Sequence, residues 1–326
     1  MVWRIHFTAD DLARIQVSPT LGPLAETVMA VCKLRSPRQP RTLLSEWRGQ
    51  VQDKVTPRMK PLTALFPPGT PGVDLFTLTG EAPTIEQGVQ ALLDVPREHL
   101  LVEMEYTNRH SRLPGAAWAL AEPGGRPDLA EATQAAYQAL VEPYWPRIRA
   151  LLHTEQAARR RTLAREGADR LLASLQGQRI RWRTPVLEIL MPTDLDMHLD
   201  GRGLALVPSV FVGKCPSLHE NPNDCAEMPR LVLPAADAGR ARLWDGSRPP
   251  GAALAALVGR NRAAVLQSIA DGCTTTELAG RVGISLAAAS QHASVLRGAG
   301  LIVTRRQGGA VLHVLTPLGA ELLQAG

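Results

Sequence analysis

Hydrophobic and polar positions repeat with two different periods along this chain. Up to Gln176, apolar residues mostly recur every three or four positions, as they do on one face of an α-helix. Proline and glycine separate these runs, and one short apolar run at the start predicts a strand. The predicted elements are a strand at Val2–Phe7 and helices at Leu21–Leu34, Thr42–Val55, Pro57–Phe66, Thr84–Asp94, Pro96–Arg109 and Asp128–Leu175, the last one broken at Pro143–Pro146.

A small antiparallel meander is predicted next, because short runs now alternate apolar and polar residues. Asp200-Gly201 lies between two of these runs, and Asp-Gly is a strong signal for a two-residue hairpin turn. We therefore predict an α+β N-terminal module at 1–245, mainly helical over 1–176 and with an antiparallel β-meander over 179–235. The runs are Arg179–Arg183, Val186–Leu190, Leu195–Asp200, Gly203–Pro208 and Arg230–Pro234.

The composition changes at Asp245–Gly251, which reads DGSRPPG. Proline and glycine together interrupt regular structure, so we predict a linker at 246–251 and a second domain at 252–326. From Gly251 onward the chain carries six arginines and three acids, so this domain is locally basic. The whole chain has a net charge of +5, which permits a nucleic-acid partner without requiring one.

The second domain carries the sharpest local signals. Thr274 and Glu277 have the spacing of a capping box, which predicts the start of a short helix. Gly283 follows that helix, where glycine tolerates the left-handed conformation of a helix end. Ser285 is then a predicted N-cap of a second helix, Leu286–Arg297. The pattern is that of two helices joined by a tight turn.

Two β-rich runs follow, Leu301–Thr304 and Val311–Leu315, joined by the basic segment Arg305–Ala310. They predict a β-hairpin with a positively charged tip, because the two glycines of that segment can take positive φ. The hairpin follows the two helices. Further apolar helices are predicted upstream at Ala252–Val258 and Asn261–Ala270, and a last helix is predicted after the hairpin at Leu318–Gln324. This order is that of a winged helix-turn-helix, a DNA-binding fold.

The segment Gly283–Ile302 resembles the recognition region of ArsR-type (arsenical-repressor-like) transcription regulators. Ala293 departs from the family, which usually has leucine after the histidine. The residues that carry this resemblance are Ser285, Ser290, His292, Leu296, Arg297, Ala299, Gly300 and Leu301, together with the basic hairpin. The whole chain is similar to a long subgroup that places a large domain of undefined function ahead of the winged helix. That wider resemblance rests on the opening strand and helix, Arg159–Arg170, Arg179–Trp182, Val207–Phe211 and Leu231–Ala235.

The resemblance implies which side chains meet DNA. Glutamine can pair with adenine and alanine methyls can contact thymine methyls, so the second helix would read bases in the major groove. Arginines near the hairpin would bind phosphates or a minor groove. The alternatives are a hydroxyl bonded to its own helix for Ser290, a packing role for His292 and a solvated tip for the arginines. The expected DNA-binding residues are Ser285, Ala287, Ala288, Ser290, Gln291, His292, Ser294, Arg297, Arg305 and Arg306.

A transcription regulator, more often a repressor in this family, is therefore the expected function. The resemblance implies a homodimer paired through the outer helices, and a two-fold dimer implies an operator of inverted half-sites on double-stranded DNA. The N-terminal module is a candidate sensor of a small-molecule effector. Two alternatives stay open: an N-terminal enzyme with an appended winged helix, and a winged helix that binds protein.

Other chemistry has weaker signals. Cys215, His219 and Cys225 lie in one loop and are weak candidates for zinc ligands, whereas the metal-binding motifs of the family are missing. Motifs of common enzyme classes are missing too, so we expect no enzyme activity and no cofactor. Sparse cysteines and the lack of a long apolar run predict a cytoplasmic protein without membrane contact. The run Arg159–Arg161 is a solvated helix face, a second DNA contact or a binding point for an anionic ligand.

Overall fold

The computed structural model describes residues 1–36, 43–68, 72–176, 179–213, 215–244, 252–269, 272–307 and 310–325. The chain divides into two compact units, Met1–Trp244 and Asp245–Gly326. The predicted linker at 246–251 lies outside the described residues. Helices and strands both contribute to the fold, which is α+β as predicted.

Several helices of the first unit begin at a side-chain cap or at a proline. Thr84 accepts a hydrogen bond from the Gln87 amide (3.3 Å) and so satisfies one of the free N–H groups of its helix. Proline occupies the first turn of several others, where its missing N–H costs little. The helices are α1 (Ala9–Ala13), α2 (Pro23–Arg35), α3 (Ser45–Val51), α4 (Lys60–Ala64), α5 (Leu75–Thr79), α6 (Ile85–Asp94), α7 (Arg97–His110), α8 (Gly115–Trp118), α9 (Arg126–Leu140), α10 (Trp145–Ser174, kinked at Gly167) and α11 (Asp237–Leu243).

An aromatic cluster lies in the core that these helices form. The Trp47 ring lies 4.8 Å from the Phe211 ring and 6.0 Å from that of Trp244, centroid to centroid. Tyr144 packs edge-on against Trp244 at 5.3 Å. The indole N–H of Trp47 donates to the Leu140 carbonyl (2.9 Å), so the ring is buried with its polar atom satisfied.

The strands of the first unit form two mixed sheets within the described residues. They are β1 (Val2–His6), β2 (Gln16–Val17), β3 (Ile180–Arg183), β4 (Val186–Leu190), β5 (Leu195–His198), β6 (Ala205–Ser209), β7 (Ser217–His219) and β8 (Arg230–Pro234). In one sheet, β1 lies between β4, to which it is antiparallel, and β5, to which it is parallel, and β3 completes the order β3–β4–β1–β5. In the other, the order is β2–β6–β8–β7, with β6 parallel to both neighbours.

The predicted antiparallel meander is therefore confirmed for β3 and β4, which pair antiparallel, and wrong for the strands that follow them. Asp200 and Gly201 form a turn with positive φ (52° and 86°), but β5 and β6 on either side of it belong to different sheets. Asp11 holds the chain just after the turn, because its carboxylate accepts hydrogen bonds from the Gly203 amide (2.8 Å) and from both the amide and the hydroxyl of Thr8. Local turn chemistry bends the chain but does not choose its sheet partner.

The second unit begins with two helices, α12 (Ala252–Val258) and α13 (Arg260–Ser268). The predicted capping box is confirmed: Thr274 accepts from the Glu277 amide, while the Glu277 carboxylate accepts from the Thr274 amide. Gly283 ends this helix in the left-handed conformation (φ 70°), and the Ser285 hydroxyl caps the next one, also as predicted. The remaining elements are β9 (Cys273–Thr274), α14 (Thr275–Val282), α15 (Leu286–Gly298), β10 (Ile302–Gln307), β11 (Ala310–Leu315) and α16 (Pro317–Ala325).

Small side chains allow close packing in the second unit. Ala289 and Ala293 of α15 are buried in its core, and the three strands form an antiparallel sheet in the order β10–β11–β9. Gly319 lets α16 approach the backbone of Leu301, since a Cβ there would lie 2.0 Å from the Leu301 carbonyl oxygen. A helix long and apolar enough to span a bilayer is not found in the part of the chain that the structure describes.

A buried carboxyl group sits in the first unit on α2. Glu26 accepts hydrogen bonds from the Ser209 hydroxyl (3.1 Å) and the Val210 amide (3.3 Å) and is 2% exposed. Burial raises the pKa of Glu26 from 4.5 to about 8, because the charged form loses its hydration, and the hydrogen bonds and Arg240 only partly oppose this. The folded protein therefore holds this proton at neutral pH.

We expect Glu26→Gln to stabilise the protein more at high pH than at low pH. The pKa of Glu26 rises from 4.5 to about 8 on folding, so the wild-type free energy of unfolding falls as the pH rises through that window. Glutamine removes this loss, and the variant's advantage should grow by on the order of 3 kcal/mol between about pH 5 and about pH 8. Urea unfolding at both pH values measures it. The exposed Glu81→Gln is the control, and an advantage that is equal at both pH values contradicts the assignment.

Candidate functional sites

Helix α15 has a buried side and an exposed side. Ala289, Ala293 and Leu296 are at most 1% exposed, and they follow each other at helical spacing. The residues between them turn outward. We call the set of exposed predicted residues the outer face of α15: Ala287, Ser290, Gln291, Ser294 and Arg297.

The other predicted residues of this helix have additional contacts. The Ser285 hydroxyl accepts from the Ala288 amide (3.2 Å), so it is a helix cap as well as an exposed group. Ala288 is half-buried. His292 is also half-buried and lines a shallow cavity of about 280 Å³ with Arg260 and Arg262 at the start of α13. His292 therefore lies at the border of the outer face.

Arg297 connects the outer face of α15 to the hairpin. Its guanidinium donates to the Ser294 hydroxyl (3.3 Å) within the helix and to the Thr304 hydroxyl (3.4 Å) on β10. Arg305 is exposed on the same strand. The backbone of Arg306 pairs with Val311 in the hairpin, but its side chain and the predicted glycine tip lie outside the described residues.

A buried histidine extends this connection, and the sequence did not predict it. The Nδ1 atom of His313 lies 3.2 Å from the Thr304 hydroxyl, and its Nε2 atom lies 3.0 Å from the Thr275 hydroxyl at the start of α14. Burial lowers the pKa of His313, and the nearby charge of Arg297 lowers it further. A neutral imidazole thus joins the hairpin to the start of α14.

A second site lies in the first unit, where three polar side chains form a relay. Ser217 and His219 point to the same side of β7, because they are two residues apart on a strand. The Ser217 hydroxyl lies 2.5 Å from Nε2 of His219, and Nδ1 of the same ring lies 2.5 Å from the Asp74 carboxylate. Serine, imidazole and carboxylate in this order match the geometry of a serine nucleophile with its base.

The Asp74 carboxylate of this relay is stabilised in its charged form by its neighbours. Burial acts to raise the pKa of Asp74, but the charge of His219 and the hydrogen bonds from His219 and Thr77 outweigh it and lower the pKa overall. Asp74 caps α5 by accepting from the Thr77 amide (3.0 Å), and its own amide donates to Glu103 (3.1 Å). Burial, together with the Asp74 charge, raises the pKa of Glu103 to about 7. Asp74 is thus the charged member of the pair.

The weak zinc prediction in this loop is not supported. Both ring nitrogens of His219 are engaged in the relay, Cys225 is exposed and Cys215 is half-buried. Within the described ranges these three residues do not form a cluster of metal ligands; the group that does form is His6, Asp196 and His198. The zinc ligands were predicted in this loop because the three residues are close in sequence. Whether ligand atoms meet in space depends on strand pairing, which the sequence does not reveal.

An open cavity of about 530 Å³ lies between α2, α3 and α4. Val31, Leu34 and Met59 give it an apolar lining, and Arg35 and Lys60 contribute positive charge. The size and the mixture of apolar wall and few charged groups are typical of small-molecule sites. It is a candidate place for an acidic, partly apolar ligand.

Known proteins provide no guide to these sites. Comparison of the chain with protein-family models, with curated proteins and with solved structures finds no match. Support for a function therefore comes from the chain's own residues and from how the fold arranges them.

Proposed function

We propose that this chain is a sequence-specific DNA-binding transcription regulator whose second unit is a winged helix-turn-helix. One observation carries the proposal: the outer face of α15 is exposed and mostly polar, while the opposite side of the same helix is buried in the core. Leu286 and Val295 of this helix are exposed as well. A helix fits the major groove, and its exposed residues can then reach base edges. The resemblance to ArsR-type regulators points the same way.

The chemistry of the outer face suits base reading. Gln291 can pair with adenine through both of its amide atoms, and Ala287 can contact a thymine methyl. Ser290 and Ser294 supply hydroxyls that donate or accept. Arg297 is held between Ser294 and Thr304 at the junction of helix and hairpin, so its charge is positioned before DNA binds. Arg305 and Arg306 would bind phosphates through the hairpin.

A homodimer is part of this proposal. Leu257 on α12 and Leu318 on α16 are 73% and 55% exposed, which leaves apolar surface on the outer helices of the second unit. A two-fold pair would carry two α15 helices and require inverted half-sites about 10 bp apart. An effector in the cavity near α2 would act only by binding the DNA-competent and incompetent dimers unequally.

We expect Gln291→Ala to relax the base preference at one position of each half-site. Selection of the full-length protein on random duplexes should return an inverted repeat, and the variant should lose about 1–3 kcal/mol of discrimination at that base. Fluorescence anisotropy with matched and mismatched duplexes measures the change. The control Gln267→Ala, an exposed glutamine on α13, should leave the preference intact. Failure to enrich any sequence would contradict the proposal.

Removing the hairpin charges should act differently. We expect Arg305→Ala combined with Arg306→Ala to weaken binding to every duplex alike and to reduce the salt slope by about 2, because each phosphate contact contributes about 1. A salt titration of the full-length protein on the selected and on an unrelated duplex measures both effects. An unchanged slope would mean that the hairpin does not contact the backbone.

We also propose a second function, an acyl-transfer or hydrolase activity in the first unit, and the relay is the observation that favours it. In this reaction the Ser217 oxygen attacks a carbonyl carbon of an ester while its proton moves to Nε2 of His219. The leaving alcohol takes that proton, and water then hydrolyses the acyl-serine. Asp74 stabilises the cationic ring and fixes the tautomer, because it accepts from Nδ1.

A fluorophosphonate probe tests this activity without knowledge of the substrate. Attack by Ser217 forms an O–P bond and breaks the P–F bond, fluoride leaves, and the serine proton passes to His219. We expect one adduct per chain by mass spectrometry, located on Ser217 by peptide mapping. Ser217→Ala should abolish it, and Asp74→Asn, which can still cap α5, should slow it at least about tenfold.

The matched control is Ser174→Ala, which removes an exposed serine that bonds to a helix carbonyl. Its labelling rate should equal that of the wild type. Labelling that persists in Ser217→Ala, or no labelling of the folded wild-type chain, would show that the relay only holds β7 in place.

A further inference from the structure

We propose that His6, Asp196 and His198 form a zinc site on the solvent-facing side of the sheet β3–β4–β1–β5. Two imidazoles and one carboxylate are a typical donor set for Zn²⁺ with an open coordination position. None of its residues belongs to the relay or to the second unit. The proposal therefore does not depend on either proposed function.

Strand pairing brings the three residues together. His6 is the register partner of His198 on the parallel strand β5, and Asp196 is two residues before His198 on that strand. Side chains two apart on a strand share a face, and register partners on neighbouring strands also share it. All three side chains therefore project from one side of the sheet.

The distances suit one metal ion. Nε2 of His6 lies 2.7 Å from the Asp196 carboxylate, and Nε2 of His198 lies 3.7 Å from the same oxygen. Tetrahedral zinc with ligands at about 2.0–2.2 Å requires separations of roughly 3.3–3.6 Å between donor atoms, which these distances bracket. The three donor atoms lie within 4.8 Å of one another, so rotation of the two rings about their side-chain bonds can bring all three onto one ion.

The two histidine rings lie side by side but must tilt to share an ion. They stack in parallel, with centroids 4.3 Å apart and an angle of 7° between them, and each Nε2 lone pair lies in the plane of its own ring. Nε2 of His6 is a buried nitrogen for which the described residues supply no hydrogen bond of acceptable geometry, despite the nearby carboxylate. A metal ion would give that nitrogen a partner.

The opposite side of the sheet gives the site a rigid base. Ile5, Leu187 and Ile189 are fully buried there and pack with Leu171 and Leu172 of α10. The ligands are thus on regular strands and not on a loop. Asp196 and His198 remain 60% and 65% exposed, so the ion and a fourth ligand such as water can exchange with solvent.

The charges beside the site are mixed. Arg4 is the register partner of both Asp196 and Glu188, and it lies in the row of side chains next to the two histidines. Farther across the sheet, Arg183 and Glu188 approach to 4.0 Å. The positive charge of Arg4 opposes a cation, whereas Asp196 supplies the charge that favours it, so binding rests on the three direct ligands.

Titration of the metal-free, full-length chain with ZnCl₂ in a calorimeter tests the site. We expect one ion per chain. His6→Gln and His198→Gln should each weaken binding by more than the roughly 10–100-fold that an outer partner of a metal site is worth. His99→Gln, an exposed histidine on α7, is the matched control and should bind as the wild type does. Circular dichroism confirms that each variant is folded.

A second measurement identifies the donor atoms. Co²⁺ in a site of nitrogen and oxygen ligands gives weak visible bands, whereas thiolate ligands add intense charge-transfer absorption in the near ultraviolet. We expect only the visible bands, and their loss in Asp196→Ala. The proposal is overturned if zinc binding survives in the histidine variants, if Cys215→Ser with Cys225→Ser abolishes it, or if the wild-type chain binds no zinc.

Discussion

The pairing of β1 with β4 and β5 is the constraint on which the first unit depends. The strand comes from the first residues of the chain and its partners come long after the helices, so a large loop must close before any of these hydrogen bonds form. Burial of Ile5 against Leu187 and Ile189 offsets that cost. Because β1 lies between its two partners, its register also decides which polar side chains meet on the outer side of the sheet.

Local signals in the sequence were sufficient for the helix ends around the turn between α14 and α15, whereas the short helices α1, α5, α8 and α11 were not predicted. The capping box at Thr274, the left-handed Gly283 and the N-cap at Ser285 involve residues within a few positions of one another, and all were predicted. The sheets were not predictable in the same way. The Asp200-Gly201 turn has the chemistry of a hairpin, yet its flanking strands find partners elsewhere, since sheet pairing is decided by packing over long sequence distances.

The functional residues also divide into those that local sequence could predict and those that depend on long-range packing. The resemblance to ArsR-type regulators implied which side of α15 is exposed, and Ala287, Ser290, Gln291, Ser294 and Arg297 are exposed there. It did not predict that His313 joins the hairpin to α14, nor that Asp74 meets His219, 145 residues away. In the loop with Cys215 and Cys225, by contrast, ligands that are close in sequence do not converge within the described residues. Sequence spacing can predict a site whose residues lie on one helix or strand. A site whose residues lie on several elements is recognised only in the folded structure.

The position of β5 at the border of its sheet has one more consequence. An edge strand presents free backbone N–H and C=O groups. A strand of another molecule can form hydrogen bonds to these groups, and aggregation can start in this way. Polar and charged side chains on such a strand discourage that growth, and β5 carries Asp196 and His198 there. The same two residues that would hold a metal ion thereby also protect the sheet from uncontrolled extension.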